Sequence, residues 1–148
     1  MIEFHSLEIP QLERFLERQK SGLSLSRDID LDLVLRQILQ KANEFVPSES
    51  GSILLDDPFH KVASRKENEL VFIATFGQSG GDLIGHRLSA QFGIVGQVYQ
   101  TGSPYLSTDV DADKFFHKAI DQSLGHKTHS VVCVPIYIGK HVCGVLEL

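Results

Sequence analysis

The feature that most limits the fold is a change of texture at Pro47. Before it, Leu31, Val34, Leu35, Ile38, Leu39, Ala42, Phe45 and Val46 recur at i, i+3, i+4 and i+7. That rhythm is the apolar stripe of an amphipathic helix. Asp30 stands at its N-cap position and Asp32 suits the positive end of the dipole. Pro47 stops the helix. After it, "GSILLD" (51–56) and "ELVFIATFG" (69–77) are short, β-branched or aromatic, and bounded by turn residues. These are strands, so the chain lays helices on a sheet.

An earlier helix, from about Leu7 to Lys20, offers Leu12, Phe15 and Leu16 to a partner, and "SGLSLS" (21–26) is a hinge after it. "DPFHKVASRKEN" is polar and reads as an exposed loop; "GQSGGDLIG" (77–85) reads as a mobile one. "GIVGQVYQTG" has room for about two helical turns, with Gly102 where a C-terminal stop belongs. "SPYLSTD" is extended, and "DADKFFHKAIDQSLG" predicts a helix capped by Asp111 or Asp113 and ended by Gly125. "SVVCVPIYIGKHVCGVLEL" predicts two strands joined by a two-residue turn at Gly139–Lys140. This order predicts an α+β domain with a largely antiparallel sheet of about five to six strands and helices on both faces.

Length and charge narrow the function. At 148 residues the chain is one domain with a core of its own. Its net charge of -5 argues against a general nucleic-acid or anionic-membrane surface. No apolar run approaches the ~20 residues of a membrane span. The segment "MIEFHSLEIPQLERFLERQ" carries four glutamates and no secretory apolar core. A cytoplasmic location is expected.

The stretch "GIVGQVYQTGSPYLSTDV" (93–110) has the glycines of a phosphate loop but not its lysine: none lies between Lys66 and Lys114. Its glycines are expected to serve turns and close packing. The start of its short helix, near Ile94 and Val95, still offers N–H groups to a ligand. His126, His129 and Cys133 give a His-x-x-His-x-x-x-Cys run. The favoured reading of that run is loop and strand-start residues, with no metal. With the turn at Gly139–Lys140, Cys133 is expected opposite Leu146 and Cys143 opposite Ile136. The two thiols then face opposite sides of the sheet and form no disulfide. Asp109, Asp111 and Asp113 read as a solvated turn.

Three segments, in order, resemble a known family. "LDLVLRQILQKANEFVPSESGSILLDD" is similar to the first long helix and first strand of GAF domains, the small-molecule sensor modules of phosphodiesterases, bacterial kinases and transcription activators. "GIVGQVYQTGSPYLSTDV" resembles their short helix and following turn. "DADKFFHKAIDQSLGHKTHSVVCVPIYIGKHVCGVLEL" resembles their pocket helix and last two strands, most of all in cyclic-nucleotide-binding members. The resemblance implies a GAF/PAS-like fold over 27–148 without the family's final helix. Residues 1–26 are then an N-terminal helix and hinge for dimerisation and signalling.

The resemblance further implies a non-catalytic sensory module of a larger signal-transduction protein. Its ligand would be a cyclic purine nucleotide, and its partners a second copy, docked through the N-terminal helices, and an output domain. Phe116 falls at the position of a family phenylalanine near the ligand. The ligand-binding set expected on this basis is Phe76, Phe92, Ile94, Val95, Asp109, Phe116, His117, Asp121, Thr128, His129 and Cys133. The alternative is a cysteine-dependent enzyme of the free methionine sulfoxide reductase type. Those enzymes use cysteines in loops over the pocket, and 77–130 holds none.

Overall fold

The computed structural model describes residues 3–19, 31–57, 65–77, 80–115, 128–138 and 140–148. Strand β1 (Phe4–Ser6) precedes helices α1 (Ile9–Gln19) and α2 (Leu31–Phe45). Strands β2 (Gly51–Asp56) and β3 (Glu69–Phe76) follow, then the one-turn helix α3 (Gly80–Leu83) and strand β4 (Arg87–Ser89). Helix α4 (Gly93–Thr101), strand β5 (Tyr105–Ser107) and the hairpin β6 (Val131–Ile138) and β7 (His141–Glu147) complete the domain.

All pairings are antiparallel, in the order β1-β3-β2-β7-β6-β5. Strand β4 shares the outer edge of β3 with β1: β1 pairs with Ala74–Phe76 and β4 with Glu69–Val71. Two three-residue strands thus raise the expected five or six to seven, because β3 is long enough to take both end to end.

The sheet is apolar on both faces, and a different core lies on each. On one face Leu12 of α1 and Leu35 and Leu39 of α2 pack on Ile53, Leu55, Val71, Ile73 and Phe76. On the other, Ile94, Val95, Val98 and Tyr99 of α4 pack on Leu54, Leu70, Phe72, Val145 and Cys133. All six residues of β2 are buried, because the central strand is covered on both sides. Each large apolar side chain so covered contributes about 1.5–3 kcal/mol.

Helix α2 ends before Pro47, as expected; Asp30 and the side chain of Asp32 lie outside the described residues. Gly102 ends α4 in the left-handed region, with φ 69°, and its N–H donates to the Val98 carbonyl. Three expectations need correction. The glycine-rich loop contains α3, and Gly80 is buried. The 57–68 loop is not uniformly exposed, since Asp57 and Asn68 are each 2% exposed. Leu12, read as offered to a partner, is 0% exposed within its own chain, with the half-buried Leu7 packed on the same core; the side chains of Phe15 and Leu16 lie outside the described residues.

The hairpin register also differs. The turn is where the sequence puts it, with Ile138 opposite His141. Beyond Tyr137–Val142 the pairing shifts by one, so Ile136 opposes Gly144 and Cys133 opposes Glu147 instead of Leu146. Cys143 is the extra residue of a β-bulge. Gly144 makes this possible, because a Cβ there would run into the Leu54 carbonyl oxygen of β2. The thiols still face opposite sides, Cys133 toward α4 and Cys143 toward α2.

Candidate ligand-binding site

Directly paired residues of antiparallel strands project to the same face. One such row crosses six strands: His5 pairs with Thr75, Thr75 with Ser52, Ser52 with Glu147, Glu147 with Cys133, and Cys133 with Tyr105. Every member carries a polar group or a thiol, and the row lies on the α4 side. Beside the row the same face carries the apolar Leu54, Leu70, Phe72 and Val145 beneath α4, and the buried Asp56 at the end of β2. The bulge at Cys143 matters here. In the unbulged register Leu146 would share this face with Cys133; the shift brings in the Glu147 carboxylate instead.

The row is buried at its centre. Thr75 and Cys133 are 0% exposed and Ser52 is 8% exposed. Burial, and then the charge of Glu147, push the Cys133 thiol well above its ordinary range. A protonated thiol is a poor nucleophile. Among the described residues, Thr75 Oγ1 is a buried side-chain polar atom without a hydrogen-bond partner. Helix α3 closes over this end of the row. A Cβ at Gly80 would approach Thr75 Oγ1 to 2.9 Å, and one at Gly81 would approach the His5 ring to 3.1 Å.

Tyr105, at the other end, donates to Asp113 over 2.7 Å, and this bond pushes its phenol up. The other Asp113 oxygen accepts the Phe115 N–H at 2.8 Å. The Phe115 ring meets the Tyr105 ring edge-on at 5.7 Å. Asp113 thus holds both the Tyr105 hydroxyl and the Phe115 N–H, and Asp111 donates its own N–H to Asp109; the helix that either was expected to cap lies outside the described residues.

The expected ligand residues distribute unevenly. Ile94, Val95 and Cys133 share the α4 side of the sheet. Phe76 does not join them: it packs toward α1, with its ring 5.6 Å from that of Phe4. Asp109 is exposed and caps a 3₁₀ turn at Val110–Ala112. His129 is exposed and its carbonyl accepts the Val110 N–H at 3.0 Å; Thr128 is half-buried beside it. Phe92 lies outside α4, in a groove of about 320 Å³ that also takes in Gly93, Gln97, Lys114 and Phe115. It does not cap α4 with its side chain. Phe116, His117 and Asp121 lie outside the described residues, as does most of the helix expected over 111–125; of its start, Asp111 and Ala112 close the 3₁₀ turn and 113–115 are not helical. No group of three metal-ligating side chains converges among the described residues.

Sequence reasoning missed His5, Ser52, Thr75, Tyr105 and Glu147. One signal was available, since a glycine inside a strand marks a bulge or a close backbone approach, and Gly144 is both.

It also missed the polar cluster that anchors α4. Tyr99 donates to Asp56 over 2.6 Å and accepts from Asn68 Nδ2 at 3.0 Å. Arg65 stacks on the Tyr99 ring, 4.1 Å from its centroid, and donates to the Tyr99 and Val142 carbonyls. Burial first, then the bond to Asp56, push the Tyr99 phenol well above its ordinary range.

Comparison with known proteins agrees with this architecture. Residues 28–148 match the family model described as the GAF domain. The chain is 23% identical over 130 residues to a Caenorhabditis elegans protein named as a probable 3',5'-cyclic phosphodiesterase, pde-5. That alignment covers 81% of this chain and 17% of the relative. Among solved structures, the GAF domain of a phosphoenolpyruvate-protein phosphotransferase from Coxiella burnetii superposes with a TM-score of 0.65 at 20% identity. The match covers 93% of this chain and 74% of that one. A type II free methionine-R-sulfoxide reductase from Thermoplasma acidophilum superposes with a TM-score of 0.58 at 12% identity, over 78% and 70% of the two chains. Likenesses at these identities establish the fold alone.

Proposed function

The chain belongs to the GAF domain family, and we propose that it is a non-catalytic sensory module that binds a small ligand on the α4 side of its sheet. A cyclic purine nucleotide is the ligand class we assign. The observation that carries the reading is the six-strand polar row, whose Thr75 hydroxyl has no partner among the described residues, lying beside the apolar Leu54, Leu70, Phe72 and Val145. A base edge can bond to such a row while its rings cover the neighbouring apolar side chains. Ile94 and Val95, at the start of α4, stand where first-turn N–H groups meet an acceptor.

The signal has a short path. Strand β2 carries Ser52 and Leu54 on the ligand face and Ile53 and Leu55 on the face against α1 and α2. A ligand that favours one packing of the sheet therefore biases the two helices on its far side. We assign the module to a larger cytoplasmic signalling protein whose output domain reads those helices. A second copy docks on α2, where Val34, Ile38 and Phe45 form an exposed apolar stripe.

The cysteine-dependent enzyme is disfavoured by geometry. Cys133 and Cys143 are buried on opposite faces, and the Cys133 thiol is held protonated. Replacing Cys143, which faces α2 and not the ligand side, by alanine is expected to leave ligand binding intact.

Thermal denaturation with cyclic GMP and cyclic AMP at about 1 mM tests the sensory reading. A rise in melting temperature with either nucleotide supports it. No rise with either one overturns the nucleotide assignment.

A further inference from the structure

The last carbonyls of an α-helix have no partner inside it. Those of α4 are met in part by groups from elsewhere in the chain. The Val98 carbonyl accepts the Gly102 N–H at 2.8 Å, a local closure. The Tyr99 carbonyl instead accepts Arg65 Nη2 at 2.8 Å, from a residue 34 positions earlier. The Gly102 carbonyl, just beyond the helix, accepts the Tyr137 hydroxyl at 2.6 Å. The Arg65 charge also stands at the negative end of the helix dipole.

Arg65 reaches further. Its Nη1 donates to the Val142 carbonyl of β7 at 3.2 Å, and its guanidinium lies over the Tyr99 ring. Its own carbonyl accepts Gln100 Nε2 at 3.1 Å, and the same Nε2 donates to the Ala90 carbonyl at 3.0 Å. Ala90 belongs to the turn that leads into α4. One residue outside the helix thus holds its C-terminal end directly and, through Gln100, the turn before its first residue.

These bonds do what the apolar contacts cannot. Ile94, Val95, Val98 and Tyr99 press α4 onto the sheet, but apolar burial is non-directional and fixes a helix along its axis only loosely. Hydrogen bonds are directional and weaken steeply with misalignment. Bonds at both ends therefore set where along its axis α4 stops. That position decides where the Ile94 and Val95 N–H groups stand, more than one helical turn from Tyr99.

We propose that Arg65 is a positioning residue for the ligand site. It bonds no ligand atom; it fixes α4 so that the first-turn N–H groups meet their acceptor. The inference rests on the ligand-binding reading above and adds how the site is held ready before the ligand arrives. Lysine at this position would keep the charge. As a point charge without a planar fork, it could not span the two carbonyls and cover the ring at once.

The test uses the full chain, with cyclic GMP and cyclic AMP as probes, and the variants Arg65→Lys, Gln100→Met and Tyr99→Phe. Tyr99→Phe removes a buried hydroxyl but leaves both guanidinium bonds, which end on main-chain carbonyls. In calorimetry the better nucleotide is expected to bind Arg65→Lys and Gln100→Met about tenfold more weakly than wild type, and Tyr99→Phe within about twofold. Without probe, the backbone amide NMR signals of Ile94 and Val95 are expected to move in Arg65→Lys and to keep their wild-type positions in Tyr99→Phe.

Wild-type affinity in Arg65→Lys would overturn the proposal. So would a loss in Tyr99→Phe as large as that in Arg65→Lys, because binding would then follow stability alone. Should Arg65→Lys not fold, Gln100→Met decides, and wild-type affinity there overturns the proposal. These outcomes leave the sensory reading standing. A wild-type chain that binds neither nucleotide overturns the nucleotide assignment. The amide signals in Arg65→Lys and Gln100→Met then decide for Arg65, and unmoved signals of Ile94 and Val95 overturn its role.

Discussion

The Tyr99 hydroxyl donates to the Asp56 carboxyl over 2.6 Å, between residues 43 apart in sequence. Tyr99 belongs to α4 and Asp56 to the last position of β2. Both are 0% exposed. This bond ties the helix above the ligand face to the central strand of the sheet. Asn68 and Arg65 complete the attachment from the connection between β2 and β3, and Gln100 returns a bond from α4 to the Arg65 carbonyl at 3.1 Å.

Tyr99→Phe isolates the hydroxyl, because the ring still fills its site and still faces Arg65. Asp56 and Asn68 each lose a buried partner. The expected cost is about 1–3 kcal/mol, read as a lower urea midpoint with an unchanged m-value.

The raised phenol of Tyr99 also makes stability depend on pH at the alkaline end. Its ordinary value is 10.0 and that of Cys133 is 9.0; both are raised by burial. Above those values the unfolded chain loses protons that the folded chain retains. Stability is therefore full below about pH 9 and falls as the pH rises, by up to about 1.4 kcal/mol per unit for each group. Cys133→Ala is expected to remove the part that begins near pH 9, and Tyr99→Phe the part that begins near pH 10. Urea midpoints measured across pH 8–11 check this; a decline identical in wild type and both variants would refute it.

Gly96→Ala sets two effects against each other. Alanine in a helix interior is favoured over glycine by about 1 kcal/mol. At this position its Cβ would come within 2.8 Å of the Ala90 carbonyl oxygen, a rigid backbone atom. Overpacking of this kind costs typically about 1–3 kcal/mol, so the clash is expected to win and the urea midpoint to fall. A rise would mean that the turn before α4 yields easily.

The sequence disclosed what local pattern controls. The stripe from Val34 to Phe45, the strands at 51–56 and 69–76, the stop at Gly102 and the turn at 139–140 each depend on residues close in the chain. The polar row does not. It joins six strands, and its membership depends on registers set across the whole sheet. One extra residue at Cys143 exchanges Leu146 for Glu147, and periodicity alone cannot detect that exchange. Phe76 shows the same limit. Its place at a strand end was legible, but its face follows from a second register shift, between Ile53 and Leu54. Asp56 and Asn68 looked like loop polarity because their partner, Tyr99, comes from a helix more than thirty positions away.

Helix α2 gives the last prediction. Leu35 and Leu39 face the sheet and are 7% and 1% exposed. Val34, Ile38 and Phe45 are 40%, 44% and 84% exposed and lie along one neighbouring line, at i, i+4 and i+11. Leu12 is already buried by its own chain, whereas this stripe is exposed apolar surface on which a second copy can dock. Ile38→Glu with Phe45→Glu is expected to halve the mass seen by light scattering at tens of micromolar. The urea midpoint should hardly change, because neither side chain belongs to the core that joins α2 to the sheet. A wild-type chain that is already monomeric at that concentration would refute the docking of a second copy on α2 and leave the ligand face untouched.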